Sequence, residues 1–228
     1  MKAIILSAGR GERLRPLTDK TPKPLLKAGK FRLIEYTLQS LVKAGFDDII
    51  INTAHLAEQF PAVLGDGHHY DAKITYSSEQ EGGLETAGGI INALPLLGEE
   101  PFLVVNGDIW TDYPFAQLHQ LSLNNQYLGH LVLVKNPDHN PQGDFALSSG
   151  LIKQDAAIKY TYSGIAVYHP ALFSGLEVQR LPLKPLLLNA INKGQLRGER
   201  YHGQWSDIGT IERLQQLAKQ LNEAQSKS

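Results

Sequence analysis

Short apolar runs at 3–6, 49–52, 74–76, 102–105 and 131–134 alternate with stretches whose apolar residues return every three or four positions. The runs are too short for helices, and their β-branched content suits buried strands. The stretches between them suit crossover helices. The alternation therefore predicts an α/β fold, a Rossmann-like, mostly parallel mixed sheet flanked by helices. Ile34, Leu38, Leu41 and Val42 mark the first helix, which Gly45 is placed to end in a left-handed cap. A second helix is expected over 56–64 and a third from Thr86, whose hydroxyl can cap its first turn. Gly88 and Gly89 are costly in that helix, which makes sense if something comes close to the backbone there. Later the pattern predicts a strand at 163–168, a helix at 183–192 and a polar hairpin-like stretch at 196–205. A last helix starts at Thr210 as N-cap, with Ile211, Leu214, Leu217, Ala218 and Leu221 as its apolar stripe, and the tail 223–228 is expected to fray. No repeat or linker breaks the chain, which reads as a single domain over 1–228.

Composition narrows the function classes. At 42% hydrophobic and 20% charged the chain can build a sizeable core. A formal charge of −1 gives no global field for nucleic acid or an anionic membrane. The absence of cysteine excludes disulfides, thiolate metal sites and a cysteine nucleophile. No apolar stretch nears bilayer length, and the N-terminal run is too short for a signal-peptide core, so the expected location is cytoplasmic.

The cations are concentrated locally. After the first strand, residues 6–25 read L-S-A-G-R-G-E-R-L-R-P-L-T-D-K-T-P-K-P-L, with Gly9 and Gly11 among Arg10, Arg13, Arg15 and Lys23. Glycines let backbone N–H groups approach an anion, and the side chains can neutralise a polyphosphate. Pro16, Pro22 and Pro24 stiffen a loop longer than a mere connection needs. Asn106-Gly107-Asp108 follows the strand at 102–105, at the carboxyl edge where open α/β sheets bind ligands. Asp207 precedes the last helix in Trp205-Ser206-Asp207-Ile208-Gly209-Thr210. Two carboxylates suit Mg2+, which completes its octahedron with water and phosphate oxygens. Each aspartate alone would pass for a turn former or a helix cap; the phosphate-gripping loop makes the metal reading the stronger one.

These segments, taken in order, resemble the sugar-1-phosphate nucleotidyltransferase family. Gly9-x-Gly11-x-Arg13-Leu14 with Pro16-Leu17-Thr18 and Pro22-Lys23-Pro24-Leu25 is similar to its nucleotide-binding segment. Asn106-Gly107-Asp108 and Asp207-Ile208-Gly209-Thr210 are similar to its metal segments, and 84–89 to its base and sugar pocket. The resemblance implies nucleotide contacts from Ala8, Gly9, Gly11, Arg13, Glu79 and Gly83, and catalytic roles for Arg13 and Lys23. It also implies sugar contacts from Asn106, Gly143, Asp144, Ser163 and Gly164, and Mg2+ on Asp108 and Asp207. The implied partners are UTP and a sugar-1-phosphate, without nucleic acid or membrane, for a monomer or weak homo-oligomer. Within the family the chain is most similar to members that take a muramate sugar in peptidoglycan recycling. There is no room in 228 residues for the β-helix that many relatives append.

Two details bear on specificity. A carboxylate reads the N–H-rich edge of guanine well and repels the carbonyls of uracil, so Glu79, if it faces the base, points away from uridine. Hexose-specific members carry Glu-Lys-Pro after a Gly-x-Phe/Val strand, and 152–160 contains none. A sugar whose O3 bears an acidic lactyl ether has less use for that carboxylate, yet no motif names a cation for the lactyl acid. Among rivals, a dinucleotide oxidoreductase fails because Leu14 stands where a third glycine belongs and Pro16 bars a helix. A P-loop hydrolase lacks Gly-Lys-Ser/Thr. A noncatalytic nucleotide sensor could dispense with one metal carboxylate, and mannose-1-phosphate guanylyltransferase is the nearest alternative enzyme.

Overall fold

Along the first strand Ala3 and Ile5 bury on one face of the sheet and Ile4 on the other, and the same alternation recurs at Ile49, Ile50 and Ile51. Burial on both faces is what a parallel strand between two helical layers requires. The computed structural model describes residues 1–80, 82–124 and 126–225. In chain order the strands are β1 (Ala3–Leu6), β2 (Lys27–Ala28), β3 (Phe31–Arg32), β4 (Asp48–Thr53), β5 (Lys73–Ser78), β6 (Phe102–Asn106) and β7 (Ile109–Thr111). They continue with β8 (Gly129–Val134), β9 (Ala146–Ser148), β10 (Leu151–Lys153), β11 (Thr161–Tyr168), β12 (Leu196–Arg200) and β13 (Trp205–Asp207). The α-helices are α1 (Leu33–Lys43), α2 (Gln59–Leu64), α3 (Glu85–Leu97), α4 (Ala116–His119), α5 (Leu183–Asn192) and α6 (Ile211–Gln225).

Nine strands form one sheet in the order β5-β4-β1-β6-β11-β8-β12-β10-β9. From β5 to β6 every pair is parallel. β11 then runs antiparallel between β6 and β8, and β12 lies parallel to β8. One apolar layer packs α1 against one face, and α3 and α5 cover the other. The chain leaves β1 towards β4 on one side and later returns to β6 on the other. That reversal opens a crevice at the carboxyl ends of β1 and β6, where the glycine-rich loop and Asn106-Gly107-Asp108 emerge.

The predicted strands lie within β1, β4, β5, β6, β8 and β11, and the predicted 183–192 helix is α5. Four expectations need correction. α2 begins only at Gln59, because Leu56 takes a left-handed φ of 51° and the chain turns before the helix can start. α3 starts at Glu85, and no side chain caps it, so Thr86 lies inside the first turn. The stretch 196–205 is no hairpin: β12 finds its partner in β8, and Trp205 opens a strand paired with β7. α6 continues through Gln225 where fraying was expected, and the remaining tail, 226–228, lies outside the described residues. Thr210 does cap α6, its Oγ1 accepting from the Arg213 N–H at 3.4 Å. No helix among the described residues is long and apolar enough to cross a membrane.

Candidate active site

The loop after β1 is built from three tight 3-10 turns rather than a helix. Gly11 makes the first possible with φ 66°. A Cβ there would sit 2.9 Å from the Thr18 methyl and 3.1 Å from Lys23 Cβ. Thr18 Oγ1 donates to the Gly11 carbonyl at 3.0 Å, and His55 Nε2 lies 3.0 Å from the Thr18 carbonyl. The loop is thereby folded back on itself and tied to the chain beyond β4. Arg15 is held by Asp19 at 2.7 Å, away from this role. Arg13 makes no ion pair or hydrogen bond among the described residues and lines the crevice.

The crevice holds a cavity of about 440 Å3, lined by Ala8, Gly9, Gly11, Arg13, Lys23, Glu79, Gly83, Asn106 and Asp108 among others. Lys23 is buried with its Nζ 2.6 Å from Asp108 Oδ2, a contact spanning 85 positions of sequence. Asp207 stands opposite Ile109 in the β7–β13 ladder, and the Ile208 N–H donates to the Asp108 carbonyl at 2.8 Å. The two acid-bearing segments are therefore strand neighbours. Gly209, two residues on, lines the cavity, and a Cβ on it would lie 3.0 Å from Arg13 Nη2. The two acids thus share the neighbourhood of the arginine-lysine loop. Asp207 Oδ1 meets Arg213 Nη1 at 2.6 Å and His139 Nε2 at 3.1 Å.

Both acids are partly exposed, 35% for Asp108 and 23% for Asp207, and each is balanced by a neighbouring cation. Among the described residues no three His, Cys, Asp or Glu cluster as a metal cage. Asp108 lines the first cavity, whereas Asp207 lines neither cavity and reaches it only through its neighbour Gly209. As hard oxygen donors, carboxylates suit Mg2+, whose other ligands are water and phosphate.

Glu79 lines the cavity but is used as a strut. Its Oε1 accepts from Asn52 Nδ2 at 2.6 Å, its Oε2 from the Leu84 N–H at 2.7 Å, and Asn52 Oδ1 accepts from the Ser7 N–H at 2.6 Å. This chain braces the 79–84 loop against β4 and β1. Burial raises the Glu79 carboxyl above its ordinary value, opposed by those two hydrogen bonds. The strut also explains the helical glycines. A Cβ on Gly89 would fall 2.5 Å from Glu79 Oε1 and 2.7 Å from Asn52 Nδ2, and one on Gly88 would collide with the Gln179 carbonyl. Of the loop 77–83, Gly82 and Gly83 line the cavity, and residue 81 lies outside the described residues.

A second cavity of about 420 Å3 shares Glu85, Thr86 and Asn106 with the first and adds Asp144. The other expected sugar residues line neither cavity. Ser163 is buried, donating to the Val132 carbonyl at 2.7 Å while its own carbonyl accepts from Trp205 Nε1 at 2.9 Å. Gly164, in the bulge of β11, leaves the space that the Asn106 side chain occupies. Gly143 packs against the 159–160 backbone. Thr86, within the 84–89 segment expected at the pocket, lines both cavities, whereas sequence reasoning missed Ser7, Asn52 and Lys184. Of these only Asn52, a polar residue ending a buried apolar strand, carried a local signal.

A profile of the family described as nucleotidyl transferase matches residues 2–159. A relative from Neisseria meningitidis serogroup B, named N-acetylmuramate alpha-1-phosphate uridylyltransferase, is 48% identical over 95% of this chain and 96% of its own. The chain belongs to the nucleotidyl transferase family. Within that family it is also 32% identical over 92% of its length to a mannose-1-phosphate guanyltransferase of Aspergillus fumigatus, of which it spans 61%. The solved structure of a Bacillus anthracis protein, described as a glucose-1-phosphate thymidylyltransferase in complex with a sucrose, superposes with a TM-score of 0.85 at 23% identity, covering 96% of this chain and 94% of that one. The inositol-1-phosphate CTP transferase of T. maritima gives 0.79 at 20% identity, covering 97% and 96%. At such identities the two structures speak for the fold. The nucleotidyltransferase fold of the sheet and the family resemblance of the motifs stand together.

Proposed function

We propose that this nucleotidyltransferase moves a uridylyl group from UTP to N-acetylmuramate alpha-1-phosphate, releasing pyrophosphate and giving UDP-N-acetylmuramate. The near-full-length 48% identity to the Neisseria relative carries this reading. It is supported by the paired cavities, one edged by cations and carboxylates, the other walled by apolar and polar groups, meeting at Asn106. We place the reaction in the cytoplasm, in peptidoglycan recycling, as the work of a single domain.

A sugar-phosphate oxygen attacks the α-phosphorus, a new P–O bond forms, and the bond to the bridging oxygen breaks as pyrophosphate leaves. The nucleophile is already anionic near neutral pH, so no general base is needed. Anion must instead approach anion, and the chain's work is alignment and charge neutralisation. The glycine-rich backbone cradles the triphosphate. Arg13, with no ion pair or hydrogen bond among the described residues, takes the β- and γ-phosphates. Lys23, buried at the cavity floor, faces the α-phosphate and the incoming phosphate. Asp108 and Asp207 would hold Mg2+, which when bound supplies further neutralisation of phosphate charge.

Pyrophosphate release from UTP plus N-acetylmuramate alpha-1-phosphate tests the reading against GTP plus mannose-1-phosphate. The first pair should turn over at least tenfold faster in kcat/KM, an order of magnitude typical of one lost polar contact. The reverse preference would give the assignment to the guanylyltransferases, which are 28–32% identical. Turnover with neither pair, together with nucleotide binding, would favour a sensor.

A further inference from the structure

The second cavity has an unbalanced charge that the reaction above does not use. Three ionic side chains line it: Glu85, Asp144 and Lys184. Glu85 is already paired, its Oε1 accepting from Arg180 Nε at 3.0 Å. Asp144 Oδ2 accepts from the Tyr162 N–H at 2.9 Å and from Asn140 Nδ2 at 3.3 Å, which fixes the carboxylate on the wall. Lys184, in the first turn of α5, is exposed and has no ion pair or hydrogen bond among the described residues. Around it Phe145, Leu183 and Leu187 form a buried apolar surface.

An acidic substituent entering this space would meet the fixed charge of Asp144 and that of Glu85, the latter offset by Arg180. Without a cation it would be repelled, and a neutral hexose would be preferred. An unpaired ammonium on a flexible stem reverses that preference. The apolar neighbours lower the local dielectric and strengthen a charge pair formed there. The same apolar wall offers few partners to a hexose hydroxyl but packs well against methyl groups, such as those of an acetamido and a lactyl group.

We propose that Lys184 is the residue that reads the carboxylate of the sugar's lactyl ether, pairing with it inside the second cavity. This rests on the N-acetylmuramate reading above. It supplies the cation that the motifs left unnamed, and it makes Lys184 a specificity residue that touches substrate without taking part in phosphoryl transfer.

The test compares N-acetylmuramate alpha-1-phosphate with its lactyl methyl ester, which has the same shape but no charge, in the wild type and in Lys184→Met. The wild type should show a KM about tenfold higher for the ester, the order expected for one charge-assisted hydrogen bond. Lys184→Met should lose the acid preference, treating acid and ester alike or favouring the ester, with the KM for UTP and the kcat at saturation within about twofold of wild type. Retention of the acid preference in Lys184→Met would overturn the proposal while leaving uridylyl transfer intact. So would a wild type indifferent to the ester, or equal weakening of acid and ester by the substitution, which would place the lysine on the phosphate or in a structural role. A wild type inactive on both sugars with UTP, yet correctly folded, would instead remove the reading on which the proposal stands, and the proposal with it.

Discussion

Lys23 Nζ lies 2.6 Å from Asp108 Oδ2, so the phosphate loop after the first strand is latched to the acid that follows the fourth parallel strand. Lys23 is only 10% exposed in its side chain, and Asp108 is its one partner among the described residues. The ammonium keeps donors to spare at the cavity floor. Lys23→Met should lower kcat by about 10²–10³, the usual effect of deleting one group aimed at transition-state charge. UTP affinity by calorimetry should change less than tenfold in the same variant. A kcat within twofold of wild type would take Lys23 out of catalysis.

Asp108→Asn and Asp207→Asn should each reduce pyrophosphate release by more than about 10², with no rescue at high magnesium. Their stabilities should differ. Asp108→Asn strips the charge partner from a buried ammonium and should cost about 1–3 kcal/mol, below the figure for a fully buried pair because Asp108 is 35% exposed. Asp207→Asn leaves Arg213 in contact with His139, so its cost should be smaller. Urea denaturation with circular dichroism measures both. Near-normal rates in the two variants would dismiss the metal assignment.

Gly89→Ala sets helix propensity against sterics. Alanine favours a helix by about 1 kcal/mol over glycine. The new Cβ, however, would fall 2.5 Å from Glu79 Oε1 and break the strut to Asn52 and Leu84. The expected net effect is a loss of about 1–3 kcal/mol, since two buried hydrogen bonds are disturbed. The KM for nucleotide should rise at the same time as the 79–84 loop shifts. A melting temperature above wild type would show that the strut yields easily.

Glu199 provides a pH prediction. The His130 ring, 3.5 Å from its Oε2, and the Tyr113 hydroxyl hold its carboxyl below the ordinary carboxylate value against some burial. A folded-state value below the unfolded one stabilises the protein above the unfolded carboxyl range, and this contribution disappears as pH falls through the folded value. Glu199→Gln should therefore be less stable than wild type by about 0.5–1 kcal/mol near pH 7, the group being half open to water. The gap should close in acid, once the pH has fallen through the folded-state value and so below the ordinary glutamate value. Paired melts near neutrality and in acid check it, and a constant gap would contradict the sign.

The sequence by itself determined the local elements and the chemistry of each motif. β1, β4, β6, α1 and α5 follow from the spacing of apolar side chains, which depends only on neighbours a few positions away. The phosphate loop was legible because glycines and prolines impose backbone conformation locally, Asp108 because it follows Gly107 at the end of a strand, and Asp207 because it stands just before the last helix with Gly209 two residues on. What the tertiary structure decided was adjacency. Only the pairing of β7 with β13 places Asp207 beside Asp108, and only the placement of β12 on β8 dissolves the hairpin expected at 196–205. Glu79 lines the cavity, and only the structure revealed that Asn52 and the Leu84 N–H each hold one of its oxygens. Gly88 and Gly89 had a reason that lay in Gln179 and in that strut. Ser163, Gly164 and Gly143 line neither cavity, and Lys184 lines the second from a helix that carried no motif. Strand order and side-chain direction arise from contacts many tens of residues apart, whose free energies depend on the whole assembled sheet, and no local pattern in the chain encodes them.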